Sequence, residues 1–197
     1  MTTKLILYNE TVALLGQLKF TEKPRLVLND FYAEAQQHCL EQGLWSFALR
    51  VSTETSDTTA TVGYAKVFNK PSDWIRTAMV SGTATFTEPI HKYEDEGSVI
   101  RAEVTTLYLK YVSNDASYGL NLAKWPQLFS DYFVAHLARE ACLRITRNGA
   151  LLGELGDREK LKLAAALKVH AMEDGNVDES DKRCPQIAEA VAARRQA

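Results

Sequence analysis

The segment Thr105-Thr-Leu-Tyr-Leu-Lys-Tyr-Val112 decides the fold class of this chain. Two sets of residues alternate along it with a period of two, which is the side-chain period of a β-strand. Its β-branched and aromatic residues favour the same structure. Helical patterns precede and follow the region around it. The sequence therefore predicts an α+β protein in which a small antiparallel β-sheet domain is inserted into an antiparallel bundle of about four helices.

The predicted β domain covers residues 47–113, where Thr, Val, Tyr and Phe become frequent and Gly or Pro recurs. Ala78 to Phe86 and Val99 to Val104 are predicted strands because of their β-branched content. The run from Thr53 to Thr61 consists mostly of Ser, Thr and Asp, and it predicts an exposed loop tip.

Residues 1–46 and 114–172 are predicted to form the helical bundle. In the first helix Leu5, Tyr8, Val12 and Leu15 recur at steps of three and four, and Gly16 offers a stop. The second helix is predicted to begin at an N-cap, Thr21, with Pro24 in its first turn, and to end at Gly43. Its predicted apolar positions are Val27, Leu28, Phe31, Tyr32, Ala35 and Cys39.

Two further helices are predicted after the β domain. Trp125-Pro126 opens a long helix, Asn148-Gly149 breaks it, and a last helix reaches Ala171. The predicted buried faces are Phe129, Phe133, Leu137, Ala141 and Ile145 in the long helix, and Leu163, Leu167 and Ala171 in the last one.

Residues 173–197 form a predicted C-terminal tail. Residues 173–181 contain five acidic side chains and no basic one, and Pro185 begins an Ala-rich segment that ends with Arg194-Arg195. Blocks of charge with little apolar content are typical of segments without their own core. Such a tail either stays without fixed structure or folds on a partner.

Composition excludes several classes of protein. The 23 Lys and Arg residues face 25 Asp and Glu residues, and a formal charge of −2 is unlike that of a protein that grips nucleic acid. Three widely spaced cysteines argue against a disulfide framework or zinc knuckle and favour folding in a reducing cytosol. No apolar run is long enough for a transmembrane helix, and Glu10 interrupts the only stretch resembling a signal peptide, so no membrane partner is expected.

The sequence predicts no catalytic activity, no cofactor and no metal site. The chain has no nucleophile elbow and no phosphate-binding loop. Its four histidines, among them His38 and His136, are predicted to lie apart, with His136 at the boundary of a helix face. The acidic triplet Glu94–Glu96 has no geometry for acid–base catalysis, and the calcium-like run from Asp174 lacks the required glycine and closing glutamate.

Large aromatic residues mark the borders between the helical and β blocks. Trp45, Phe47, Trp74 and Trp125 are predicted to bury area where layers meet, and some of them could instead anchor an interface. In the segment between Phe68 and Arg76, Pro71 is expected to fix a turn and Asp73 to bond nearby backbone amides. We therefore predict a structural role for this segment.

As an ordered set, four segments resemble the head-to-tail adaptor family of tailed bacteriophages, the tail tubular protein A-like proteins. The match spans about residues 5 to 172 and leaves the tail uncovered. The segments are Asn9-Glu-Thr-Val-Ala-Leu-Leu-Gly16, Cys39-Leu-Glu-Gln-Gly-Leu-Trp-Ser-Phe-Ala-Leu-Arg50, Phe68-Asn-Lys-Pro-Ser-Asp-Trp-Ile-Arg76, and Leu109-Lys-Tyr-Val-Ser-Asn-Asp115 followed by Trp-Pro-x-x-Phe and a long helix.

The resemblance implies a virion protein without catalytic activity, assembled in the host cytoplasm. It implies a homo-oligomeric ring, commonly twelve-fold, beneath the portal protein, with a tail or nozzle protein as its other partner and transient, non-specific contact with genomic DNA. The C-terminal tail is a candidate portal-binding segment. Its candidate contact residues are Pro185, Ile187, Val191, Arg194 and Arg195.

The alternative is a small helical DNA-binding regulator. It would use a basic face, which nearby carboxylates dilute. The residues of that face would be Arg139, Arg144, Arg147 and Arg158.

Overall fold

Helices and strands alternate in blocks along the chain, as the α+β prediction requires. The computed structural model describes residues 2–16, 22–56, 58–59 and 63–173. These residues contain four α-helices, which are α1 (Lys4–Leu14), α2 (Glu22–Glu41), α3 (Gln127–Ile145) and α4 (Gly149–Glu173). They also contain seven strands, which are β1 (Leu49–Thr55), β2 (Thr58–Thr59), β3 (Lys66–Asn69), β4 (Trp74–Ser81), β5 (Glu94–Glu96), β6 (Val99–Ala102) and β7 (Thr106–Ser113). The α+β fold class is confirmed.

The chain divides into two compact units. The helical unit contains the residues up to Cys39 and those from Leu122 onward, and the β unit is Leu40–Asn121. The sequence analysis placed the β domain at 47–113. The predicted tail begins at residue 173, the last residue of α4, and the rest of it lies outside the described residues. Among the described helices, none is both long and apolar enough to cross a membrane.

The ends of α1 are set by its sequence. The Thr3 side chain accepts a hydrogen bond from the Ile6 amide at 3.3 Å, which satisfies one of the unpaired N–H groups of the first turn. Gly16 follows the helix with φ of +70°, a conformation that favours glycine. Tyr8, Val12 and Leu15 are buried as predicted, but Leu5 is 58% exposed, and Leu7 is buried in its place.

Four of the six predicted apolar positions of α2 are buried. These are Leu28, Tyr32, Ala35 and Cys39, whereas Val27 and Phe31 are only half-buried. Pro24 lies in the first turn of the helix, as expected. The predicted N-cap, Thr21, lies outside the described residues.

Helix α3 is the centre of the helical unit. Four of its five predicted core residues, from Phe129 to Ala141, are buried, whereas the fifth, Ile145, is half-buried. Residues on its other sides, including Tyr132, His136 and Cys142, are buried as well. The Phe133 ring meets the ring of Trp125 at 5.1 Å and that of Tyr32 at 5.4 Å, both edge to face. Such edge-to-face contacts add to the area that the rings bury. A helix buried on most sides has neighbours around it.

Helix α4 begins at Gly149, where the sequence predicts a helix break. The Asn148 side chain accepts hydrogen bonds from the amides of Ala150 at 3.0 Å and Leu151 at 3.3 Å, which caps the new helix. The predicted face of Leu163, Leu167 and Ala171 is only half-buried. The buried residues of α4 are Leu155, Glu159 and Ala166, so the predicted face is wrong.

The strands form two antiparallel sheets. The first has the order β1-β7-β4 and the second β2-β3-β6-β5. The predicted strand from Ala78 to Phe86 is wrong in its second half, because β4 ends at Ser81 and the chain then turns. The predicted loop from Thr53 to Thr61 is also wrong over most of its described residues. There β1 pairs with β7 as far as Thr55, and Thr58 and Thr59 form β2.

One apolar cluster joins the two sheets within the β unit. It combines Phe68, Ile100 and Ala102 of the second sheet with Val80, Leu107, Leu109 and Tyr111 of the first. Alternate residues of β7 enter this cluster, which is the pattern that the strand prediction rested on.

We expect Gly119→Ala to destabilise the β unit by about 2 kcal/mol or more. A Cβ atom at Gly119 would lie 2.2 Å from the Ser113 carbonyl oxygen, to which the Gly119 amide donates a hydrogen bond at 3.1 Å. Thermal unfolding followed by circular dichroism measures the change. Gly153→Ala is the matched control. No neighbouring atom lies within 4 Å of a Cβ at this helical position, and the substitution should stabilise by up to about 1 kcal/mol. Equal responses of the two variants would contradict the prediction.

Candidate functional site

The segment from Phe68 to Arg76 is organised around the carboxylate of Asp73. Arg50 of β1 donates a hydrogen bond to Asp73 Oδ2 at 2.8 Å. From β7, the Tyr111 hydroxyl donates to Oδ1 at 3.1 Å, and the Ser113 hydroxyl donates to Oδ2. Asp73 precedes β4, so one carboxylate ties together all three strands of the first sheet. The sequence analysis expected nearby backbone amides as its partners, and these distant side chains were missed.

The electrostatics of Asp73 follow from these contacts. Burial of its side chain, which is 15% exposed, raises the pKa of the carboxyl. Hydrogen bonds from Ser113, Arg50 and Tyr111 favour the ionised form more strongly, so the pKa of Asp73 lies below its ordinary value. The carboxylate is ionised and satisfied, which suits a structural tie between strands.

Lys70 and Trp74 form a second contact of the same segment. The Lys70 side chain is 4% exposed, and its ammonium lies 3.6 Å from the centroid of the Trp74 ring. It donates hydrogen bonds to Asp95 Oδ1 at 2.5 Å and to the Gly97 carbonyl at 2.8 Å. A cation over an aromatic face with two acceptors is well compensated for its burial. The acidic triplet that contains Asp95 is the edge strand β5 of the second sheet.

The predicted border aromatics occupy different environments. Trp45 and Trp125 are buried, whereas Phe47 and Trp74 are half-buried. Trp45 lies beside Phe47, with ring centroids 6.5 Å apart, in the β unit. Trp125 packs on Phe129 at 4.8 Å in the helical unit. The residues proposed for portal contact (Pro185, Ile187, Val191, Arg194 and Arg195) lie outside the described residues.

The helical unit holds a cluster that the sequence analysis missed. His38 of α2 stacks on His136 of α3, with ring centroids 4.3 Å apart and planes 10° from parallel. His136 Nδ1 lies 2.8 Å from Oε1 of Glu159 on α4. One ligating atom from each of the three side chains falls within 4.8 Å of the others. The prediction that the histidines lie apart is therefore wrong for this pair.

The carboxylate of this cluster is shared. Glu159 Oε2 lies 2.7 Å from Nη1 of Arg139, which also contacts Glu140 through Nη2 at 2.7 Å. Burial raises the pKa of Glu159, but the hydrogen bond to His136 and the positive charges of His136, Arg139 and His38 outweigh it and lower the pKa. Glu159 is therefore an anion within the helical unit.

A groove of about 150 Å³ opens over the cluster. Its walls come from α2 and α3. They are Phe31, Glu34, Ala35, His38, His136, Arg139 and Glu140. The carboxylates of Glu34, Glu140 and Glu159 lie in or beside the groove, and the guanidinium of Arg139 is the only Lys or Arg group among the described residues of its lining. Such a site favours a cation.

The basic face considered for a DNA-binding regulator is partly neutralised. Arg139 is paired with two glutamates, and Arg144 lies 3.4 Å from Asp30 and over the Phe31 ring.

Comparison with known proteins adds no family to this picture. Neither a scan against models of known protein families nor a search of curated proteins found a match.

We expect Asp73→Asn to destabilise the chain at neutral pH by about 2 kcal/mol, because hydrogen bonds to a charged group are lost or weakened. The lowered pKa of Asp73 also sets a pH dependence. Its stabilisation is present above the unfolded pKa of about 3.9 and is lost as pH falls through the lower folded pKa. Urea unfolding between neutral and acid pH measures both effects.

In Asp73→Asn this acid-dependent part of the stability should be absent, so its free energy of unfolding should change less with pH below about pH 4. Asp157→Asn is the control, because Asp157 is 79% exposed and its pairing with Lys160 should contribute little. An unchanged acid dependence in Asp73→Asn would refute the role given to this carboxylate.

Proposed function

We propose that this chain is a structural head-to-tail adaptor of a tailed phage, which forms a ring under the portal and attaches the tail. The α+β architecture is compatible with the family that the four sequence segments resemble. The observation that carries the proposal is a set of exposed apolar side chains on different helices of the helical unit.

These side chains provide two faces. Leu5 and Ile6 of α1 are 58% and 43% exposed, and Leu161 and Val169 of α4 are 72% and 39% exposed. Leu161 and Val169 are eight residues apart, so they share one side of the helix. A closed ring needs a heterologous interface, in which one face of a protomer contacts a different face of the next. We assign the α1 and α4 faces to that interface.

The remaining features support a channel rather than an enzyme. Asp73 and Lys70 have partners that hold strands together. The formal charge of −2 suits a conduit through which DNA slides, because a strongly cationic lumen would retain the duplex.

Negative-stain microscopy of the purified chain, alone and with portal rings of the same phage, tests the proposal. We expect rings, or monomers that assemble on the portal. A stable monomer with no affinity for portal rings would rule the proposal out.

We expect Leu161→Asp to reduce ring formation or assembly on the portal at least tenfold while the protomer stays folded, because this side chain is mostly exposed in the monomer. Analytical ultracentrifugation and microscopy measure the loss. Lys160→Gln, at the neighbouring position, makes the net charge more negative by the same one unit and removes no apolar contact. Assembly that survives Leu161→Asp would exclude the α4 face as the interface.

Truncation after Met172 tests the proposed role of the C-terminal tail. We expect the truncated chain to lose affinity for portal rings in co-sedimentation, because a segment that folds on its partner contributes contacts. Equal binding by both chains would reject the tail as the portal contact and leave the adaptor function standing. A salt titration of DNA binding by filter retention completes the test, because a steep salt slope would favour the regulator instead.

A further inference from the structure

We propose that His38, His136 and Glu159 form a binding site for a divalent transition metal ion of the zinc class. The proposal is independent of the adaptor function, since it rests on three side chains within one protomer. The three residues come from α2, α3 and α4, and each offers a ligating atom within 4.8 Å of the other two.

The spacing of these atoms suits a metal of this size. Zinc binds histidine nitrogen and carboxylate oxygen at about 2.0–2.2 Å, so tetrahedral ligand atoms lie about 3.4 Å apart. The present contacts bracket that value, with 2.8 Å between His136 Nδ1 and Glu159 Oε1 and at most 4.8 Å within the set. Side-chain adjustments of about 1 Å would bring all three to coordinating distance.

The chemistry of the donors points to the same ion class. Two imidazoles and one carboxylate are a known ligand set for zinc, with water at the fourth position. Imidazole also suits other late first-row metals, whereas calcium and magnesium prefer oxygen ligands alone. The groove of about 150 Å³ beside His38 and His136 has room for that water and an entry path.

The charges of the site favour a cation in spite of Arg139. This guanidinium contacts Oε2 of Glu159, while Oε1 faces His136. Glu34 and Glu140 line the groove and add two carboxylates to that of Glu159. The ion would take the place of the proton between His136 Nδ1 and Glu159 Oε1, which is released to solvent, and His38 would supply the third ligand.

Binding would connect α2 to α3 and α4. An ion that binds the folded chain and not the unfolded one stabilises the fold in proportion to its occupancy. A bound ion would therefore cross-link three helices of the helical unit.

Calorimetric titration of the EDTA-treated, full-length chain with zinc chloride tests the proposal. We expect one ion per protomer with a dissociation constant below about 10 µM, a raised thermal midpoint, and the visible absorption of tetrahedral cobalt when cobalt chloride replaces zinc. A dissociation constant above about 100 µM, or no detectable binding, would overturn the proposal.

Variants locate the site. His38→Ala, at a half-buried position, and Glu159→Gln should each weaken zinc binding at least tenfold, while His170→Ala, a histidine outside the cluster, should leave it unchanged. Zinc binding that survives His38→Ala at full strength would lie elsewhere, for example in the acidic C-terminal segment, and would overturn the assignment.

Arg139→Gln distinguishes coordination from a merely structural role, because it removes a positive charge 2.7 Å from Glu159. We expect this variant to bind zinc more tightly than the original chain. Weaker binding by Arg139→Gln would contradict coordination by the Glu159 carboxylate.

Discussion

A buried carboxylate must find partners for its charge, and in each unit of this protein one carboxylate does so by drawing on several elements. In the β unit Asp73 accepts hydrogen bonds from β1 and β7 at the start of β4. In the helical unit Glu159 of α4 contacts His136 and Arg139 of α3. Because these partners are distant in sequence, the carboxylates are satisfied only when the elements pack in one arrangement. Buried polar groups of this kind specify a packing as well as stabilising it.

The two carboxylates differ in what surrounds them. Asp73 accepts hydrogen bonds from three side-chain donors, those of Arg50, Tyr111 and Ser113. Glu159 shares its cluster with two stacked imidazoles under an open groove. The two imidazole planes lie 10° from parallel with centroids 4.3 Å apart, so both rings present nitrogen atoms close to the same carboxylate. The same need for charge compensation thus links the strands of the first sheet at Asp73, and at Glu159 it produces the cluster proposed to bind a metal ion.

The sequence predicted the elements well where one periodicity dominated. The alternation in β7 and four of the five positions predicted in α3 mark residues that are buried, and Asn148-Gly149 marks a real break between two helices. The failures have physical causes. Polar Thr and Ser suggested a loop from Thr53 to Thr61, but pairing with β7 provides backbone bonds that composition does not show. Helix α4 buries Glu159 together with Leu155 and Ala166, and the sequence did not mark Glu159 as buried because its partners His136 and Arg139 on α3 come from tertiary structure. For the same reason no local pattern could bring His38 to His136, since only the packing of α2 on α3 does so.

These observations bear on how an adaptor could work without catalysis. A protomer that acts through its shape must hold its faces in a fixed relation to its own core, since a ring closes only if every interface repeats the same rotation. The exposed apolar residues of α4 lie on the same helix that buries Glu159, so the ion pair that anchors α4 also orients the face assigned to the neighbouring protomer. A metal bound at this point would stiffen that orientation at the cost of one ion per protomer. If α4 supplies the ring interface as proposed, the contacts that hold Glu159 also fix the orientation of that interface.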